Sequence, residues 1–176
     1  MRLINTPERI NAFVEITPHM PISQDFMEWL AKSGFFTAPA STGYHGAYEG
    51  GLYDHSFAVM EALVRMTEQM QLEWQNPRSP WVVGMFHDLC KIDQYIQVAG
   101  RVRTNKDMRL SGHGDKSVVL LSQWMELTEE ESLCIRYHMG AYVIKEWNQY
   151  DRAIRKYPNV LWTHTADMYA SKAMGV

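Results

Sequence analysis

The stretch Gly84-Met85-Phe86-His87-Asp88-Leu89-Cys90-Lys91-Ile92-Asp93 sets an imidazole beside a carboxylate. A neutral imidazole and a carboxylate can share one divalent transition metal, and the second carboxylate oxygen can bridge to another ion. Adjacent residues of a helix point about 100° apart, so His87 and Asp88 converge on one ion only near a helix end or from a wide face. Lys91 follows three residues after Asp88, on the same side, where it can meet the oxygens of a bound anion. Such a pair is unspecific alone, because many helices carry one as a cap or a core hydrogen bond. Further candidates are His55, His113, His138 and Asp167, each at or near the end of a predicted helix. Four histidines and two carboxylates suit a site of two transition-metal ions with Asp88 bridging. His45 and His164 form a second tier, for substrate contact or protonation of a leaving group.

These residues need helices to hold them, and the chain supplies helix signals along its length. Thr6-Pro7-Glu8 opens a short helix that ends before Pro18. Another is expected from Ser23 to Ser33, stopped by Gly34. The breaker-rich stretch from Thr37 to Gly43 leads to Tyr44-His45-Gly46 and is expected to lie against the site. Apolar residues from Leu52 to about Trp74 mark one face of a long helix with His55 in its first turn. Ser79-Pro80 caps the next, predicted to run from Trp81 to about Lys91, apolar nearly all round and carrying His87-Asp88 at its C-terminal end. Residues Tyr95 to Thr104 alternate well enough for one small hairpin turning at Ala99-Gly100. His113 is expected at the start of a helix through Val118-Leu121, and His138 in the last turn of one opened by the capping box Thr128-Glu131. A further helix is expected around Trp147 to Tyr157. Asn159 is read as the cap of the last, Val160 to Met174, where His164 and Asp167 share a face.

Composition narrows the class. The chain has 176 residues, 46% hydrophobic and 21% charged, as expected of one globular domain with a sizeable core. No run approaches the roughly 18 apolar residues of a membrane span, and the first residues lack a signal-peptide core, so the expected compartment is the cytoplasm. Cys90 and Cys134, without CxxC spacing, suggest neither a disulfide framework nor a zinc finger; both are read as buried thiols. The net charge of −3 excludes a general nucleic-acid magnet. Between Lys91 and Lys116, however, six basic residues (Lys91, Arg101, Arg103, Lys106, Arg109, Lys116) face three acids. That local excess is either a solvated surface or a rim that attracts phosphate.

The order of these pieces, over roughly residues 44–171, resembles the HD-domain superfamily of metal-dependent phosphohydrolases. The resemblance rests on Ala47-Tyr48-Glu49-Gly50-Gly51-Leu52-Tyr53-Asp54-His55-Ser56, on His87-Asp88-Leu89-Cys90-Lys91, and on Ala166-Asp167. The first piece looks especially like HD-domain 3′–5′ exoribonucleases and their small bacterial and phage relatives. The resemblance implies an all-α bundle spanning the whole chain, with residues 1–43 as N-terminal helices and loop. It implies one metal on His55, His87, Asp88 and Asp167, and a second for which His113 and His138 are the matching positions. Cys90 departs from the family by standing where many members have glycine, and Tyr137-His138 by standing where several have a histidine pair.

The expected activity is hydrolysis of a phosphate mono- or diester, in a small molecule, a nucleotide or a nucleic-acid end, with one or two ions of Mn, Ni, Co, Fe, Zn or Mg. Asp88 would bridge and orient water, Lys91 would hold a phosphoryl oxygen, and Arg101, Arg103, Lys106, Arg109, His45 and His164 would contact substrate. Two other readings are a diiron oxygenase, resembling inositol oxygenase, and a metal-stabilised module without turnover.

Overall fold

A computed structural model describes residues 5–98, 101–108, 110, 112–140 and 147–176. The fold is all-α with one hairpin. Among the described residues, eight α-helices run as α1 (Thr6–Ile16), α2 (Gln24–Ser33), α3 (Gly51–Met70), α4 (Ser79–Phe86), α5 (Gly114–Leu121), α6 (Glu129–Arg136), α7 (Trp147–Lys156) and α8 (Asn159–Met168). A 3₁₀ turn (Leu89–Ile92) follows α4, and a π-helical turn (Tyr169–Met174) continues α8. Strands β1 (Tyr95–Val98) and β2 (Arg101–Thr104) pair antiparallel, with Val98 opposite Arg101. The turn expected at Ala99-Gly100 lies outside the described residues.

Local chemistry sets the helix ends. The Asn5 side chain, rather than Thr6, accepts the Glu8 N–H and opens α1. Ser23 does the same for α2, which Gly34 ends in the left-handed region at φ 95°. The capping box at Thr128 is formed, and its Glu131 has a second use, since it also accepts from Arg78 and Ser79 at the start of α4. Several expected boundaries move. Helix α3 ends at Met70, four residues short of Trp74. Helix α4 stops at Phe86, where the backbone tightens into the 3₁₀ turn, so His87 and Asp88 sit past its end. Asn159 is inside α8 rather than capping it; its amide, nearly fully buried, donates to Glu73 O at 2.6 Å and Glu130 Oε1 at 2.8 Å.

The core is aromatic where α1, α2, α3 and α4 meet. Phe13, Phe26, Phe35, Phe36, Tyr53 and Phe86 are buried and packed mostly edge to face or tilted. Burial of such rings is the largest favourable contribution to folding here. Phe86 therefore anchors the end of α4 immediately before His87. Helices α3 and α4 cross closely because Gly84 has no side chain; a Cβ there would stand 2.4 Å from Met60 Cα. A buried ion pair fixes α1 to α3. Arg9 donates to both Asp54 oxygens, at 2.8 and 3.0 Å, beside His55.

Candidate metal centre

Three histidines are held alike. His87 Nδ1 donates to Gly84 O at 2.8 Å, three residues back, and His138 Nδ1 to Ile135 O at 2.7 Å. His55, in the second turn of α3 rather than its first, donates from Nδ1 to Val176 O at 2.9 Å. A carbonyl can only accept, so each ring carries its proton on Nδ1 and presents a bare Nε2. All three rings are fully buried.

Those bare nitrogens converge. His55 Nε2 and His87 Nε2 are 3.3 Å apart, and Asp88 Oδ2 lies 3.6 and 3.5 Å from them. Asp167 Oδ1 is 3.1 Å from His55 Nε2, and His138 Nε2 is 3.4 Å from Asp88 Oδ1. Ligand atoms about 2.0–2.2 Å from one ion at tetrahedral angles lie about 3.3–3.6 Å apart, and octahedral neighbours about 3 Å. The observed separations are edges of such a polyhedron. Lone pairs facing one another among carboxylates repel; a cation at their centre converts the repulsion into ligation. Asp88 Oδ1 and His138 Nε2 are buried without a hydrogen-bond partner, which is costly unless something else satisfies them. His55, His87 and Asp88, and likewise His87, His138 and Asp167, each bring ligand atoms within 4.8 Å of one another, a grouping that could hold a metal ion.

The electrostatics agree with that fit. Burial opposes the charge on Asp88, but Lys91 and then His87 outweigh it and hold the carboxyl well below the usual range. Asp167 is likewise depressed: burial opposes its charge, and His55, followed by His87 and His138, outweighs it. Burial lowers His87 against the opposing pull of Asp88, which favours the neutral form that a metal ligand needs. His138 is also opposed by burial, but Asp88 raises it.

His113 and His138 fall in different ligand groups. The sequence pairs the two on a second ion, whereas His138 groups with His87 and Asp167, and His113 groups with Asp88 and Cys90. The separation follows from where α5 and α6 end: His113 is the N-cap of α5, facing the 3₁₀ turn, while His138 follows α6 and faces α4. A Cβ on Gly114 would stand 2.1 Å from Arg136 O, so only glycine lets the two helix ends meet this closely. His113 Nδ1 is 3.9 Å from Cys90 Sγ, whose thiol burial pushes up to about 12.

No family model matches this chain, and neither a curated protein nor a solved structure does. The centre is therefore read from its own geometry.

Lys91 is 7% exposed, with Nζ 2.6 Å from Asp88 Oδ2, so its charge is committed first to the Asp88 carboxylate. It also borders a cavity of about 480 Å³ whose wall includes His45, Asp88, His113, His164 and Asp167. His45, its ring 4.8 Å from that of His55, is lowered to about 4 by burial, then by His55 and Lys91, and is neutral at neutral pH. His164 Nδ1 donates to His138 O at 2.8 Å.

Of the basic segment, Lys91 lines this wall, and the other described side chains do not. Lys116 is buried in an ion pair with Asp93. Arg103 and Lys106 are exposed, and neither lines the cavity. Arg109 and the Arg101 side chain lie outside the described residues. The additional cation at the wall is Lys172, accompanied by Tyr44, Tyr95, Met139, Met168 and Ser171, none of which the sequence reading singled out. One signal was available: His164, Asp167, Met168 and Ser171 recur at i, i+3, i+4 and i+7, one face of a helix.

Proposed function

We propose that this protein is a metal-dependent phosphohydrolase of the HD-domain type, hydrolysing a phosphate mono- or diester of a nucleotide, an oligonucleotide end or a similar small molecule. The observation that carries it is the convergence of three Nδ1-anchored imidazoles and two carboxylates at a cavity walled by two lysines. The order of His55, His87-Asp88 and Asp167 along the chain, which resembles that family, supports the same reading.

A divalent ion held by these five residues would supply charge against the phosphoryl oxygens and a hydroxide nucleophile near neutral pH. The chain's own groups do the rest. Lys91 holds Asp88 in one orientation and keeps spare N–H donors for a phosphoryl oxygen, with Lys172 as a second cationic contact. His45 and His164 offer hydrogen bonds to the ester. Met139 and Met168 add apolar surface to the wall.

The test combines metal analysis with turnover. Protein loaded with manganese, nickel or cobalt is expected to cleave an aryl phosphate mono- or diester without oxygen, and Asp88→Ala to lose both metal and cleavage. Oxygen consumption with ferrous iron and no ester cleavage under any metal would replace this reading with the diiron oxygenase; metal binding without turnover would leave a binding module.

A further inference from the structure

Beside the five-ligand cluster, a second set of ligating atoms shares Asp88. Asp88, Cys90 and His113 bring a carboxylate oxygen, Sγ and a ring nitrogen within 4.8 Å of one another. Cys90 Sγ and His113 Nδ1 are 3.9 Å apart. Zinc–sulfur and zinc–nitrogen bonds of about 2.3 and 2.0–2.1 Å at tetrahedral angles put the two ligands about 3.6 Å apart, so a shift of a few tenths of an ångström completes the pair. Asp88 Oδ1, on a residue 2% exposed, has no hydrogen bond.

Both partners are held from α5. His113 caps that helix, and Ser117, one turn later, accepts the Cys90 N–H at 3.0 Å, tying the 3₁₀ turn to the same face. His113 also lines the cavity, so an ion here would keep a position open to a ligand from that side.

We infer that Asp88, Cys90 and His113 form a second metal subsite of mixed oxygen, sulfur and nitrogen donors, which takes a thiophilic divalent ion such as zinc or cobalt in preference to manganese or magnesium. It rests on the metal-centre reading above, because Asp88 belongs to both sets. On binding, the Cys90 S–H bond breaks, sulfur bonds to the metal, and the proton leaves to solvent; no electrons are exchanged. Soft thiolate donors select zinc-like ions over hard cations, so the two positions differ in which metal they hold.

Cobalt titration followed by absorption spectroscopy and metal analysis tests the subsite in the intact chain. Two cobalt ions per chain are expected, with a sulfur-to-cobalt charge-transfer band that grows with one of them. Cys90→Ser and His113→Ala should each remove the band and one ion, whereas Cys134→Ser, at a cysteine buried between α6 and α8, should keep both. The wild-type spectrum needs no variant, so misfolding of a mutant leaves the test intact. One ion without a sulfur band overturns the subsite and leaves the five-ligand centre standing; two ions without the band overturn it as well. Binding of no ion overturns both.

Discussion

The protonation pattern of His55, His87 and His138 is more informative than their positions. Their order along the chain was legible as a ligand set, but the carbonyls that fix each ring were not, because a backbone acceptor, three residues back for His87 and His138 and 121 residues on for His55, leaves no mark on residue type. Cys90 was legible only as a buried thiol, and its neighbour His113 comes from a different element. Lys91 was expected to face an anion; its pairing with Asp88 makes a sharper prediction. Both side chains are buried, and removing one partner of such a pair typically costs about 3–5 kcal/mol because a charge is left uncompensated. A bound cation would supply the missing positive charge, so Lys91→Met should be far less stable than wild type in chelator and recover much of the difference when manganese is added. Melting curves with and without metal measure this; an equal loss in both would make Lys91 a structural partner only.

At the scale of elements, caps and breakers placed most helices, since an Asn, Ser or Thr side chain meeting a backbone N–H is a local event. Where tertiary contacts decide, sequence reading failed. Asn159 was recruited by Glu73 and Glu130, and the π-helical turn after Met168 breaks the 3.6 period that a continuous helix would keep. Gly84 carries the next prediction. A methyl group there meets the Met60 backbone at 2.4 Å, which cannot yield as a flexible side chain would. Gly84→Ala should therefore separate α3 from α4, costing at least the typical 1–3 kcal/mol of overpacking, and should lower metal content because His55 and His87 ride on the two sides of that crossing. Gly43→Ala, where an added methyl meets nothing within 4 Å, should change neither melting temperature nor metal content appreciably.

At the scale of the whole molecule, the all-α class was legible from periodicity, and among the described residues no helix is long and apolar enough to cross a membrane. The charge excess near Lys91 was a partial guide to the cavity: Lys91 lines it, Lys116 is spent on Asp93, and the other lysine of its wall, Lys172, comes from the turn after α8. Residues 175–176 have the longest reach. Removing them deletes the acceptor of His55 Nδ1, and loss of such outer partners typically weakens metal binding about 10–100-fold. Competition against a chelating dye should register that loss, while far-UV circular dichroism should change little.

That same contact joins residues 121 apart, and Asp167, which also meets His55, is nearly as distant. Helix α3 can coil early, on local contacts, but His55 has no fixed tautomer until the segment after α8 has folded back across the molecule. Closing so long a loop is slow relative to helix formation. The ligand set is thus complete only once the chain's last segment has docked, so an ion that needs the whole set would bind the fully folded chain alone.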